Sequence, residues 1–565
     1  MAFDLLLKNG RIVDGSGMPS FHGDVAIQDG KIVKLGKLGG PATRVIDAEG
    51  QVIAPGFVDN HCHYDAQVLW DPLCSFSCYH GATTVIVGNC SLALAPVKEG
   101  TQGRLSEFLS YVEAIPMEVL RTLDFSWETI PQYMDTLDQR LGVNVGNLIG
   151  HSAVRYYVMG DESQGRAPTQ EEIQSMQRIV AEGMNAGALG LSVSRNKGHY
   201  DPQGVLIPAI WASEEEIFAL GDVLRELGTG VIQSGGGRGA EIENRLMSRL
   251  SQATGRQVVY NNLGQSVRKP DEWKNLMAIV DETSQAGIRA YPLCTPNSDT
   301  ERFTMRNCQQ FLGLPTWHPI LLASDEEKLR AYSDSGVRAK LTAEAVDWSI
   351  DVPEVQIARN WYEYVWVQEA ALAKNKGLQG KSISDIAKEQ GKGIIDAFLD
   401  LAVEEDLNTV FLQGENNVDK EAVSKILNYP NTIVGLSDGG AHVQFLGGYG
   451  YSTRLLGYWV REQGIMSLEK AVRRLTFESA STFGIYDRGL LRPGMAADIT
   501  MFDPETVGPL SEDTVSDFPA GGWRIRTLPE GIKLTIVNGE VLIEDGEHTG
   551  ALPGRVMRNS LYNSK

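Results

Sequence analysis

The chain has 565 residues, of which 42% are hydrophobic and 22% are charged, the proportions of a soluble globular protein. Its formal net charge of −21 argues against nucleic acid and anionic membranes as partners and leaves a small molecule as the expected one, in a monomer or a homo-oligomer. Six cysteines are too few for a disulfide scaffold, and no apolar stretch reaches the roughly 20 residues that span a bilayer. The N-terminus lacks the pattern of a signal peptide, so we expect a cytoplasmic protein.

Both ends of the chain are rich in short strand candidates. Residues 5–35 contain such segments, with the Asn-Gly pair at 9–10 and the Asp-Gly pair at 29–30 as hairpin signals. The same character returns after residue 488. The sequence therefore predicts one small β-sandwich domain assembled from residues 1–56 and 488–565.

The middle of the chain alternates apolar strand candidates with amphipathic helices. The predicted strands end near His63, Cys90, His151, Arg195, Gln233, Asn262, Cys294 and Asp438. Eight such units predict an α/β fold, a (β/α)8 TIM-like barrel over residues 57–487 with its active site at the carboxyl ends of the strands. The pattern does not assign a further strand candidate at 409–412.

The regular spacing breaks down between Cys294 and Thr432. This stretch holds four tryptophans, Trp317, Trp348, Trp361 and Trp366. A connection of this length is usually a lid or a binding insertion. We therefore expect residues 295–385 to form an insertion that closes over the site and covers an apolar group of the substrate with aromatic side chains.

His61 and His63 follow an apolar strand and give the strongest chemical signal. Side chains two residues apart in an extended strand point to the same face, so both imidazoles can bind one metal ion. Cys90 ends the second strand, where a thiolate could reach the same ion, although an inert buried cysteine is the alternative. Asp438 ends the last strand, and an acid in such an apolar setting needs a partner.

Several motifs together resemble one family. They are His61-Cys62-His63-Tyr64-Asp65, Gly88-Asn89-Cys90, the stretch from Asn144 to Arg155, Ser437-Asp438-Gly439 and the stretch from Asp487 to Asp498. In these residues the chain resembles the N-acyl-D-amino-acid deacylase, or D-aminoacylase-like, branch of the amidohydrolase superfamily. The resemblance implies a barrel with a small β domain, zinc, and hydrolysis of an amide. It also implies that the metal ligands are His61, His63, Cys90 and Asp438, with Asp438 as the proton shuttle.

The sequence departs from the family in two places. The family has a histidine at the end of strand five and another at the end of strand six, where this chain has Gln233 and the Asn261-Asn262 pair. Amides are poor zinc ligands, so we expect one tight zinc site and no second one. The family's carboxylate-binding arginine is also missing. The candidates for substrate binding are His151, Arg195, His199, Gln233, Arg238 and Arg454, with a structural role for His151 equally open.

These observations predict a metal-dependent hydrolase that cleaves the amide C–N bond of an N-acyl or cyclic amide with a metal-activated water. Two alternatives stay open at this point. The same barrel could catalyse a metal-dependent lyase or isomerase step, or the chain could be a non-catalytic metal-binding protein. Asp438 argues against the second alternative, because a structural metal site needs no proton shuttle.

Overall fold

The computed structural model describes residues 2–236, 240–349 and 357–562. The predicted barrel is confirmed. Within these ranges its eight strands pair in parallel and in chain order. The strands are Phe57–Asp59, Ala82–Val87, Asn144–Gly150, Gly190–Val193, Val231–Ser234, Gln257–Tyr260, Ala290–Cys294 and Ile433–Val434. We number them barrel strands 1 to 8.

Backbone contacts beyond the last strand join it to the first. Cys62 and Gly439 form a parallel bridge. The His63 amide donates to the Gly439 carbonyl at 2.7 Å, and the Asp438 amide donates to the His61 carbonyl at 3.2 Å. A buried cluster that includes Val58, Leu148 and Val259 takes side chains from around the sheet, as the packed interior of a barrel does.

Helices follow the barrel strands in turn. Those between strands 2 and 7 are Gln102–Glu113, Met117–Leu120, Ile130–Leu137, His151–Met159, Gln170–Asn185, Glu214–Leu227, Ala240–Thr254 and Glu272–Gln285. Lys420–Asn428 precedes strand 8, and two helical segments, at residues 451–462 and 468–482, follow it. Their apolar faces pack on the outside of the sheet, for example through Met176 and Leu220.

The two ends of the chain build one sheet of nine strands in the described residues, so the predicted terminal β domain is present. The strands are Phe3–Ile12, Phe21–Gln28, Lys31–Gly36, Ala42–Asp47, Val52–Pro55, Ile499–Phe502, Ile532–Val537, Glu540–Glu544 and Glu547–His548. Ile32 and Val541, near opposite edges of this sheet, share one buried cluster, as in a sandwich. The division at residues 56 and 488 stays a prediction.

The two turn signals in the first strands have different outcomes. Asp29 and Gly30 both have positive φ, at 51° and 72°, and connect two antiparallel strands as predicted. The expectation of a hairpin at Asn9-Gly10 is wrong. This pair lies inside Phe3–Ile12, where the pairing register shifts, so it forms a bulge.

The segment between barrel strands 7 and 8 folds around a core of its own. It contains a three-stranded sheet of Asp299–Phe303, Val365–Glu369 and Val410–Asn416. Its helices are Trp317–Leu321, Asp325–Ser333, Ser335–Ala345, Ile383–Gln390 and Ile394–Glu404. The unassigned strand candidate at 409–412 belongs to this sheet and not to the barrel. Because the core includes Phe398 and Phe411, the compact unit extends beyond residue 385.

The tryptophans of this segment are mostly internal. Trp317 and Trp361 are fully buried in its core, and Trp348 packs against that core. The expectation that they cover a substrate group is therefore wrong for Trp317 and Trp361, whose aromatic surface stabilises the segment itself.

Three smaller strand pairs complete the structure. Gly508–Pro509 pairs with Pro529–Glu530, Asp513–Val515 with Arg524–Arg526, and Val556–Met557 with barrel strand 3. Within the described ranges, no helix combines the length and apolar character needed to cross a membrane.

Candidate metal centre

Three potential metal ligands converge just beyond the ends of barrel strands 1 and 2. The ligand atoms of His61, His63 and Cys90 all lie within 4.8 Å of one another, and all three residues are buried. The Sγ of Cys90 is 3.5 Å from Nε2 of His61. We call these residues the His–Cys cluster. Two imidazoles and a thiol at this spacing are a donor set suited to zinc.

Asp438 approaches the cluster from barrel strand 8. Its Oδ1 is 3.3 Å from Nε2 of His61 and 3.8 Å from Nε2 of His63. The Asp438 side chain is 30% exposed, so it connects the buried cluster with solvent. The structure thus brings together all four predicted metal ligands.

The backbone around these residues adopts unusual conformations. Cys90 and Asp438 have φ of 53° and 49°, in the left-handed region that residues other than glycine seldom occupy. A side chain on Gly440 would lie 2.7 Å from the carbonyl oxygen of His63, so only glycine fits there. Such conformations persist where the surrounding structure imposes them, and they are concentrated at functional sites.

Burial sets the protonation of the cluster. It lowers the pKa of His61 to about 3 and that of His63 well below its usual range. Both imidazoles are therefore neutral near pH 7 and have a lone pair for a metal. Burial also raises the pKa of Cys90 well above its usual value, so without a bound cation this residue is a thiol.

Glu113 is a site residue that the sequence reasoning missed. It ends the helix Gln102–Glu113, is buried, and places Oε1 3.4 Å from Nδ1 of His63. Burial, followed by the nearby Asp438 and Asp65, raises its pKa. The one available signal was its position, because an acid in the last turn of a helix opposes the helix dipole.

Gln233 and Asn261 occupy the ends of barrel strands 5 and 6 beside His61. Gln233 Nε2 is 3.5 Å from His61 Nδ1, and Asn261 Nδ2 is 3.4 Å from His61 Nε2. The side-chain amide oxygen of Gln233, Oε1, accepts hydrogen bonds from the Cys90 backbone amide at 3.1 Å and from the Ser192 hydroxyl at 2.8 Å. The two amide side chains therefore contact His61, and Gln233 also binds the backbone of Cys90.

His199 lies near His61, whose pKa it helps to lower, whereas His151 does not belong to the cluster. His199 accompanies His442 in lining a cavity of about 250 Å³, and burial lowers the pKa of His199 to about 3. His151 is fully buried, and its Nε2 is 2.8 Å from Oε1 of Glu216, which also binds Arg155. It lines neither this cavity nor the larger one of about 610 Å³ beside Asp438, in keeping with the structural alternative.

The predicted arginines have separate positions. Arg195 is buried, 3.9 Å from a Glu214 carboxylate oxygen, and lines neither cavity. Arg454 lines the larger cavity, donates from Nε to the Pro296 carbonyl at 3.1 Å and packs over the Tyr458 ring. Arg238 lies outside the described residues.

The larger cavity, of about 610 Å³, adjoins the cluster through Asp438. Its wall combines the barrel rim with Asn297, Ser298 and Thr300 of the segment between strands 7 and 8. Amide and hydroxyl groups predominate in this wall, and Leu436, Leu446, Pro509 and Leu510 supply its larger apolar side chains. Asn196 lines both cavities, so they meet at this residue.

The residues present fit a divalent cation. The cluster supplies neutral nitrogen and sulfur donors, and Asp438 adds a carboxylate. In the described part of the chain, the basic side chains that contact the buried Glu113 are two histidines, His63 and His442, and no lysine or arginine. A carboxylate so placed is stabilised by a cation at the cluster.

The chain is similar to known proteins over nearly its whole length. The chain matches the amidohydrolase family over residues 44–543. It is 27% identical to the D-aminoacylase of Alcaligenes xylosoxydans xylosoxydans, covering 98% of this chain and 97% of that protein. Among solved structures, a D-aminoacylase with a binuclear metal centre is similar, with 25% identity, a TM-score of 0.68 and coverage of 99% and 100%. The N-acyl-D-glutamate deacylase of Bordetella bronchiseptica, solved with zinc and a phosphonate inhibitor, gives the same four values.

Proposed function

The chain belongs to the amidohydrolase family and is a metal-dependent hydrolase, and we propose that it binds one catalytic zinc ion at the His–Cys cluster together with Asp438. The observation that carries the proposal is the convergence of three ligand atoms within 4.8 Å, with Asp438 only 3.3 Å from His61. Zinc bound there would act as a Lewis acid and lower the pKa of a bound water toward about 7.

Asp438 has the position of a general base. It is the member of the set that reaches solvent, and it borders the cavity that would hold the substrate. In the proposed reaction its carboxylate accepts a proton from the attacking water and returns that proton to the leaving nitrogen. Such proton transfer contributes about a hundred- to ten-thousandfold to the rate.

Support for a single tight metal site comes from Gln233 and Asn261. Their amides lie 3.5 and 3.4 Å from the two ring nitrogens of His61 and are weak ligands for zinc. One of the similar structures holds a binuclear centre, so this chain would differ from that relative in metal content.

The cavity supports an N-acylated small molecule with a polar body as the substrate. The relatives are named for the hydrolysis of N-acyl-D-amino acids, and the amide and hydroxyl groups of the wall suit a substrate of comparable polarity. Among the described residues, Arg454 is the arginine that lines this wall. Its guanidinium is already engaged with Pro296 and Tyr458, so it would bind a carboxylate weakly, and simple N-acetyl-D-amino acids would be poor substrates.

The test is turnover of a panel of N-acyl-D-amino acids, carboxylate-free amides and lactams by the zinc-loaded protein in ¹⁸O-labelled water. We expect solvent oxygen in the acid product, because hydrolysis places it there and a lyase or isomerase step does not. Asp438→Asn should keep the fold and metal while turnover falls at least about a hundredfold. Products free of label would refute hydrolysis, and near-normal turnover by Asp438→Asn would remove Asp438 from the mechanism.

A further inference from the structure

We propose that Glu113 is a positioning residue. It orients the His63 ring for the metal and holds the loop that carries Asp438 next to His63. The inference rests on the proposed metal site. It starts from the carboxylate itself, which is only 3% exposed and has Oε1 3.4 Å from Nδ1 of His63.

This contact selects the ring nitrogen that faces the metal. Because Nδ1 of His63 faces Glu113, the other ring nitrogen, Nε2, faces Asp438 at 3.8 Å, on the side of the His–Cys cluster. In this structure Nδ1 has no hydrogen-bond partner among the described residues, so the Glu113 carboxylate is the group placed to accept its proton. A carboxylate that does so fixes the ring orientation of a histidine and keeps Nε2 available for coordination. Metal-binding histidines commonly have such a partner, and its loss typically weakens metal binding about ten- to a hundredfold.

A second contact links Glu113 to the loop that follows barrel strand 8. The backbone carbonyl of Glu113 accepts a hydrogen bond from the His442 amide at 2.5 Å, and Oε2 lies 3.9 Å from Nε2 of His442. His442 is four residues after Asp438, and both have left-handed backbone conformations, with φ of 48° and 49°. Glu113 therefore contacts one ligand directly and anchors the loop that carries another.

The location of Glu113 is unfavourable for a purely structural acid. It lies in the last turn of its helix, next to the negative end of the helix dipole. The basic side chains that contact it in the described chain are histidines alone. Burying a carboxylate without a fixed cation is costly. A metal ion bound by His63 would supply the missing positive charge through the ring.

The experiment measures zinc affinity by competition with a chromophoric chelator for the full chain and its variants. Glu113→Gln keeps the size of the side chain and an acceptor oxygen but removes the charge, whereas Glu113→Ala removes both. We expect the Kd for zinc to rise about ten- to a hundredfold, more for alanine than for glutamine. The matched control is Glu107→Gln, on the same helix, where Glu107 pairs with Arg104 at 2.6 Å. It should leave the Kd within about twofold.

The visible absorption of the Co²⁺-loaded protein provides a readout that a merely structural residue would not move. We expect the bands to shift in Glu113→Gln, while thermal unfolding of its metal-free form stays close to that of the control. Unchanged zinc affinity and unchanged Co²⁺ bands in Glu113→Gln would overturn the inference, whether or not the alanine variant folds. If His63→Ala also retained full zinc affinity, the proposed metal site itself would be wrong.

Discussion

Two buried histidine–glutamate pairs have their histidines just after barrel strands 1 and 3. They differ in whether an arginine neutralises the glutamate. Glu216 contacts His151 and also pairs with the guanidinium of Arg155, which neutralises the carboxylate inside the protein. His63 and Glu113 lie instead beside His61, Cys90 and Asp438. The first pair is electrostatically complete, whereas the second offers neutral and anionic donors to a cation that the described residues do not supply.

The pKa shifts reflect the same difference. Burial raises the pKa of Glu216, but the hydrogen bonds and charges of His151 and Arg155 outweigh this effect and lower it overall. Burial, Asp438 and Asp65 all raise the pKa of Glu113. A buried carboxylate with its own arginine is neutralised within the fold, and one without such a partner is suited to function.

Removing the carboxylate of the first pair should give the largest effect on stability. Glu216→Ala leaves Arg155 and His151 buried without their partner, so we expect a loss of about 3–5 kcal/mol. The measurement is the midpoint of denaturant unfolding, with zinc affinity determined in parallel. Glu215→Ala, on the exposed side of the same helix, is the control and should cost less than about 1 kcal/mol. A loss of zinc affinity in folded Glu216→Ala would erase the distinction between the two pairs.

The sequence identified the parts of the site that depend on local pattern. His61 and His63 follow from spacing in a strand, and the ends of the eight strands followed from apolar periodicity. Glu113 could not be found in this way, because its importance arises from a contact with His63 fifty residues earlier in the chain. The direction of the His151 side chain depends on Arg155 and Glu216, so its place at a strand end was not informative.

Composition was a poor guide to the segment between barrel strands 7 and 8. Its tryptophans suggested an aromatic cover, but Trp317 and Trp361 pack into a core that the segment needs in order to fold by the side of the barrel. Its contribution to the larger cavity comes from small polar residues, Asn297, Ser298 and Thr300. Only the tertiary arrangement separates aromatic residues that stabilise a core from those that would line a cavity.

A smaller effect, on the pH dependence of metal binding, would sharpen the comparison. Burial holds Cys90 as a thiol because its pKa is raised, whereas a zinc ligand must be the thiolate. Binding through Cys90 therefore releases one proton, so zinc affinity should fall about tenfold for each unit that pH decreases. Titration calorimetry in buffers of different ionisation enthalpy measures this release. Cys90→Ser should release about one proton fewer than the native chain, and equal release would exclude Cys90 from the ligand set.

The same substitution in both histidine–glutamate pairs tests most directly whether the protein binds one metal ion through His63 and not through His151. His63→Gln and His151→Gln are purified without added metal, and their bound divalent ions are counted by elemental analysis beside the native chain. We predict about one ion per chain for the native protein and for His151→Gln, and almost none for His63→Gln, because only His63 faces the donor cluster. Two tightly bound ions in the native protein, or an undiminished ion in His63→Gln, would contradict this account.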